Sequence, residues 1–330
     1  MIRIAVVIVT YRTADLTIDC LRSIEAEHIH KSIRLSAVVV DNSSEDFCAI
    51  KRAIDANGWS SWAQVVCAPS NGGFAAGNNF GIRIANVDGF PDFIHLLNPD
   101  TVIRSGAIIS LAQFLQSNAA AGIAGSSFEN LDGSDWPFAF RFPTIMSELE
   151  EGLQFGIATR LLRPWVVAQK MGKSPQRVDW VPGASMMIAK RVFEAIGELD
   201  EGYFLYFEET DFCFRAKKGG FETWYVPESR VMHIAGQSTK VTERNEPNKR
   251  LPDYWFESRQ RFFFSAYGLG YAIAADFVAI LARLLGAIKS IILGHKNRLT
   301  PRFITDLIRH TLLWTTNRSV LKLKPKIGDR

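Results

Sequence analysis

Four short apolar, β-branched runs, each followed at helical spacing by an amphipathic stretch, constrain the first 118 residues more than any other feature. "IRIAVVIVTY" (2–11), "LSAVVVDNSS" (35–44), "AQVVCAPS" (63–70) and "DFIHLLNPD" (92–100) read as strands, with helices over 14–26, 45–58, 75–86 and 104–118. Strands alternating with helices predict an α/β fold whose central sheet is mostly parallel and flanked by helices. In such sheets ligands bind beyond the carboxyl ends of the strands. The polar residues there are Thr10 and Tyr11, Asp41 to Ser44, Asn71 to Gly73, and Asn98 to Asp100.

Each of these groups has two readings. Asp41, Asn42 and Ser43 suit hydrogen bonding to a pyrimidine imide edge and a ribose, and equally suit the N-cap of the helix that follows. "SNGGFAAGNNFGI" (70–82) lets a backbone approach a ligand closely, or simply turns into a helix; it has neither dinucleotide-fold nor P-loop spacing. Asp100 offers a hard oxygen to a divalent cation or caps the next helix, and His233 in "VMHIAG" is a second ligand or a core residue.

The run "YFLYFEETDFCFRAKKGGF" (203–221) places Glu208, Glu209 and Asp211 among aromatic side chains. On a helix, Asp211 reaches Arg215 at i,i+4 as a structural pair, and the glutamates favour the helix N-terminus. The sharper reading makes one glutamate a general base whose proton affinity is raised by desolvation.

Beyond residue 125 the pattern loosens into an aromatic and proline-rich insertion (Phe128 to Gln176), after which 179–197 reads as strand and helix and 222–236 as a strand. From Tyr254 the chain is mostly helical. Residues 265–294 are apolar apart from Asp276, Arg283 and Lys289, charges that oppose spanning and favour a membrane-surface or subunit contact. From Lys240 onward 17 Lys/Arg stand against 7 Asp/Glu, while the first 239 residues carry 21 against 27. Without a nucleic-acid module, this basic tail suits an anionic membrane surface and argues against nucleic acid as a partner. The apolar run from Ile4 to Val9 is too short for a signal-peptide core, so the expectation is a cytoplasmic chain with free thiols at Cys20, Cys48, Cys67 and Cys213.

Taken together, "VVIVTYR" (6–12), "VVVDNSS" (38–44), "SNGGFAAGNNFGI", "LLNPDT" (96–101), residues 181–221 and "VMHIAG" (231–236) resemble family 2 of the inverting glycosyltransferases, of the GT-A fold, in its rhamnosyltransferase-like subgroup. The resemblance implies a GT-A catalytic domain over 1–240 and a basic, apolar helical extension over 241–330 that meets a membrane surface or a second subunit. It implies that Thr10, Tyr11 and Asp41, with the adjoining Arg12, Asn42 and Ser43, hold the nucleotide. Asn71, Gly72, Gly73, Phe74, Gly77 and Asn78 would lie against nucleotide and donor sugar. Asn98-Pro99-Asp100 takes the place of the family's DxD signature, with Asp100 and His233 binding Mg²⁺ or Mn²⁺. Glu209 is the implied base, with Glu208 its rival because the pair reads Glu-Glu where Glu-Asp is usual, and Asp211 braces the helix. Trp180, Pro182, Gly183, Ala184 and Tyr206 fall in the acceptor region. The implied reaction moves a sugar, L-rhamnose from dTDP-L-rhamnose, to a glycan or lipid-linked glycan in cell-surface polysaccharide synthesis, at the inner face of the cytoplasmic membrane. Alternatives are another dTDP- or UDP-sugar donor, or an inactive nucleotide-sugar-binding protein.

Overall fold

The structure is a computed structural model that describes all residues except 29–31, 137, 154–155, 235–248, 295–299 and 317–330. Ala235 and Gly236 of the "VMHIAG" motif and the expected boundary at 240/241 lie outside the described residues. The chain divides into two compact units. The first gathers Met1–Phe140, Gln169–Phe204 and Glu208–Glu243; the second gathers Arg141–Ala168, Leu205–Phe207 and Arg244–Arg330.

The first unit is built on β1 (Ile2–Thr10), α1 (Ala14–His28), β2 (Ile33–Asp41), α2 (Phe47–Ala56), β3 (Ala63–Cys67), α3 (Gly73–Ala85), β4 (Phe93–Leu97), β5 (Thr101–Ile103) and α4 (Ala107–Ser117). It continues through β6 (Ala121–Glu129), β7 (Asp135–Trp136), β8 (Phe138–Phe140), β9 (Ala168–Lys170) and β10 (Gln176–Val178). In the second unit lie α5 (Ile145–Leu153) and α6 (Gly156–Leu161), and the first unit resumes with β11 (Ser185–Ala189), α7 (Lys190–Ile196), α8 (Glu208–Lys218) and β12 (Glu222–His233). The main path of the sheet runs β10-β12-β6-β11-β4-β1-β2-β3, with β5 paired to β12 and β7 to β6; β8 and β9 stand outside it.

The expected parallel register holds from β4 through β1 and β2 to β3. Val6, Val7, Ile8, Val39 and Val40 are sealed from solvent there, as strands covered on both faces require. Thr10 pairs with Asp41, and Asp41 with Cys67, so the polar strand ends share one edge. The other half is mixed. β11 enters antiparallel between β4 and β6, and β12 runs parallel to β6 but antiparallel to β5 and β10. Helix α3 lies close on β1 because two of its residues lack side chains: a Cβ on Gly77 would fall 2.8 Å from Val9, and one on Gly81 2.5 Å from Val7.

The second unit also contains α9 (Asp253–Tyr267), α10 (Leu269–Ile292) and α11 (Phe303–Thr316), with Phe256, Ala279, Phe303 and Leu307 at its core. A buried charge network runs through it. Arg259 is paired with Glu148 at 3.1 Å and with Asp276, which also accepts hydrogen bonds from Gln260 and, at 2.7 Å, from Thr311. Arg283 reaches Glu148 at 3.3 Å and lies over the ring of Phe303. Burying charges in this way is tolerable because each is set against an opposite charge.

Candidate active site

Thr10 ends β1 fully buried, and its hydroxyl donates to Asp46 at 2.8 Å; the same carboxylate accepts the Thr13 N–H at 2.9 Å. Asp46 was not among the residues singled out from sequence. Its one signal is its place just ahead of α2. Tyr11 is half-buried beneath the Arg12 guanidinium, and Arg12, exposed and left-handed at φ 57°, pairs with Glu45 at 2.7 Å.

Asp41 is wholly buried, and both its oxygens are engaged. Oδ1 accepts from the Ser43 N–H, the Ser43 hydroxyl and the Ser44 N–H at 2.7 to 3.0 Å, and Oδ2 from the N–H groups of Asp46 and Phe47. Asp41 therefore organises the loop that enters α2 from outside the helix, whose N-cap residue is Asp46. Asn42 ties that loop to the next one, donating to the Gly73 carbonyl at 3.0 Å. Its own Oδ1 and that of Asn78 are buried without a protein partner.

Asn71 accepts from the Gly73 N–H at 3.1 Å and Gly72 precedes α3. Gly73 itself has φ 85°, and any Cβ there would fall 1.9 Å from the Phe204 carbonyl oxygen, to which the Phe74 N–H donates at 2.8 Å. Gly77 faces Val9 and Asn42, so its missing side chain serves helix packing. Asn79, one residue past Asn78, holds the segment leading toward α8 by exchanging hydrogen bonds with Leu199 and donating to Glu201 at 3.0 Å.

Beyond β4, the Asn98-Pro99-Asp100 turn is fixed by the Thr101 hydroxyl on the Asn98 carbonyl at 2.7 Å. The chain then enters β5, whose Thr101 pairs with His233 of β12. A register shift between Val226 and Arg230 lets β12 leave β6 and meet β5. His233 Nε2 thereby lies 3.3 Å from Asp100 Oδ1, both side chains being largely buried. The His233 ring packs on Phe128, and its Nδ1 is buried without a protein partner. Among the described residues no third His, Cys, Asp or Glu joins this pair. One carboxylate oxygen and one imidazole nitrogen fit a divalent cation whose remaining positions are taken by phosphate and water.

Helix α8 opens with Glu208 and Glu209 after two left-handed residues, Tyr206 at φ 70° and Phe207 at φ 67°, a costly backbone for side chains of that size. Glu208 is 3% exposed, and burial together with the charge of Glu209 pushes its carboxyl well above the usual range. Glu209 is raised by burial too, opposed by backbone N–H groups including that of Gly183, yet its side chain is only half-buried. Of the two, Glu209 is the more exposed, although its Oε2 is itself buried without a protein partner. Asp211 sits inward, paired to Arg215 at 2.7 Å, while Arg215 also donates to the carbonyls of Ile196 and Glu198. Burial raises its carboxyl and Arg215 opposes the shift.

The Pro182 to Ser185 turn joins the two acidic centres. The Asn98 N–H donates to the Ala184 carbonyl at 3.0 Å, and Gly183 approaches both Phe74 and Glu209, leaving 3.0 and 3.9 Å for any added Cβ. Ser185 bonds His95 at 2.9 Å, whose imidazole burial pushes down to about 3. Asp100, His233, Gly183, Phe74 and Glu209 are thus linked into one region of the first unit. Trp180 stacks on Phe140 at 4.3 Å within that unit, whereas Tyr206 belongs to the second, where it stacks on Tyr254.

Residues 3–247 match the family model described as glycosyltransferase like family 2. An N-acetylglucosaminyl-diphospho-decaprenol L-rhamnosyltransferase of Mycobacterium tuberculosis is 29% identical over 152 residues, 45% of this chain and 48% of that protein. The low-salt glycan biosynthesis hexosyltransferase Agl10 of Haloferax volcanii is 32% identical over 183 residues, 55% of this chain and 53% of that one. The matches therefore span about half the length of these relatives. Among solved structures, GalNAc-T7 with UDP, GalNAc and Mn²⁺ superposes with a TM-score of 0.57 at 13% identity, over 95% of this chain and 56% of that one. This last likeness concerns the fold alone, which is GT-A-like.

Proposed function

Because the chain belongs to the glycosyltransferase like family 2, we propose that it transfers a sugar with inversion, most simply L-rhamnose from dTDP-L-rhamnose, to a hydroxyl of a glycan or lipid-linked glycan. The work would be done at the inner face of the cytoplasmic membrane, within polysaccharide biosynthesis. The observation that carries this reading is the linkage of two acidic centres: Asp100 beside His233 at one end, and half-buried Glu209 at the other, joined through Asn98, Ala184 and Gly183.

In this reading residues 1–240 do the chemistry and 241–330 anchor the chain. Asp41 shapes the loop that presents Asn42 and Ser43 to the nucleotide, Tyr11 offers a ring face, and Thr10 and Arg12 hold the strand end around them. The Asn71 to Asn78 segment lies against the nucleotide and sugar, with the orphaned Asn42 and Asn78 carbonyl oxygens supplying acceptors for hydroxyls. Glu209 removes the proton from the acceptor hydroxyl as that oxygen bonds the anomeric carbon, while the bond to the diphosphate breaks on the opposite face. Its raised proton affinity suits a base that must take a proton from an alcohol. Asp100 and His233 would hold Mg²⁺ or Mn²⁺, which when bound neutralises charge on the leaving diphosphate. Glu208 is a buried neighbour that holds its proton more tightly than an ordinary glutamate, and Asp211 fixes α8 through Arg215. Trp180 and the Pro182 to Ala184 turn of the first unit are the residues we assign to the acceptor, and Tyr206 of the second unit is a separate candidate for that role.

The likeness to a hexosyltransferase supports a second reading in which the donor is another nucleotide-activated hexose. Glu209→Gln tests the shared mechanism: it should abolish transfer and leave nucleotide binding intact, and retained turnover removes Glu209 from the base role.

A further inference from the structure

Helix α10 is built inside out. Its buried positions are small or charged: Ala272, Ala275, Asp276, Ala279, Ala282, Arg283, Gly286 and Ser290. Past Gly270 every exposed position along it is apolar, with Phe277, Leu281, Leu284, Leu285, Ile288 and Ile292 between 44% and 76% exposed. Their spacing of three and four residues puts them on one face. Water selects the opposite arrangement, and an exposed apolar stripe of this length marks a contact surface.

By length and composition α10 could cross a membrane. Its inward charges say otherwise. Asp276 is held by Arg259, Gln260 and Thr311, and Arg283 by Glu148, so α9, α11 and α5 occupy the flank that lipid would have to replace. The helix can offer only its outer face. The sequence that follows supplies the complementary charge: from Gly294 to Arg330 there are nine Lys/Arg and two Asp/Glu. An apolar stripe on a chain whose following sequence is this basic fits the headgroup and acyl boundary of an anionic leaflet, whereas a second copy of equal charge would repel the first.

We propose that the Phe277 to Ile292 face of α10 lies in the interface of an anionic phospholipid leaflet, parallel to the membrane. This does not depend on the transferase reading, and it is tested without turnover. The full chain is sedimented with phosphatidylcholine vesicles with and without phosphatidylglycerol, beside Leu281→Glu/Ile288→Glu, both positions being exposed. The wild type should sediment with the phosphatidylglycerol vesicles and less with phosphatidylcholine alone, and the variant should lose about tenfold or more in partitioning. Equal partitioning of wild type and variant, or no binding by the wild type, overturns the proposal. So does a lipid-free dimer that the variant dissolves, since a second copy would then cover the face. If the double variant does not fold, Phe277→Trp serves: its fluorescence should be quenched by brominated lipid in anionic vesicles, and unquenched emission counts against the proposal.

Discussion

His233 Nε2 lies 3.3 Å from Asp100 Oδ1, because the ladder between β12 and β5 sets His233 opposite Thr101, the residue after Asp100. If this pair is a cation site, His233→Ala should weaken Mn²⁺ binding by roughly tenfold or more in the presence of a nucleoside diphosphate. Electron paramagnetic resonance of free Mn²⁺ measures it. Unchanged affinity would leave His233 a packing residue on Phe128.

Glu208 and Glu209 are adjacent but not equivalent, since Glu208 is buried and Glu209 half-buried. Glu209→Gln should lower kcat by about 10² to 10⁴, whereas Glu208→Gln should cost far less, because Gln keeps the shape of a buried carboxyl whose charged form burial disfavours. The base must be ionised, and burial raises its proton affinity. Transfer should therefore climb with pH through a range above that of an ordinary glutamate and level off beyond it. A rate that is flat with pH there would argue against Glu209.

The same burial has a stability consequence. Glu208 holds its proton to higher pH when folded than when unfolded. The unfolded chain therefore ionises first as pH rises, and the wild type loses stability from about pH 4, the ordinary glutamate value, up to the raised folded one. Glu208→Gln should match the wild type in acid and become progressively more stable than it above that point. Urea titrations at several pH values would reveal a constant difference if the idea is wrong.

Gly73→Ala should be severe. The new Cβ would collide with the Phe204 carbonyl, in a backbone conformation side chains avoid, and the strain alone is worth about 1 to 3 kcal/mol. The melting temperature should fall and nucleotide binding should weaken with it, while Gly133→Ala, at φ 77° with open space around it, should alter stability only.

Much of this was legible in the sequence. The β1 to β4 half could be read because each strand is a compact β-branched run and each crossover helix follows at once, so local signals and topology agree. The antiparallel entry of β11 and the β5 to β12 ladder carry no such signal; their pairings join residues far apart in the chain and depend on the register shift in β12. For that reason Asp100 and His233 could be named as a candidate cation pair from a family resemblance, but the contact between them had to come from the structure. Asp41 shows the reverse difficulty. A carboxylate closing a strand before Asn-Ser-Ser reads the same whether it faces a nucleotide or leads into α2, and only the five donors around it reveal that it organises that loop. Asp46 escaped notice because a single buried acid at a helix start has no periodicity to betray it, and its importance lies in the Thr10 hydroxyl it holds.

The most direct test of the central claim, a metal-dependent nucleotide-sugar site at the strand ends, is the thermal melt of the protein with dTDP, UDP and GDP, each with and without Mn²⁺. Ligands that bind only the folded state raise its melting temperature. The account predicts a rise with dTDP that requires Mn²⁺ and disappears in Asp100→Ala. No rise with any nucleotide under either metal condition, or a rise that Asp100→Ala leaves intact, would contradict it.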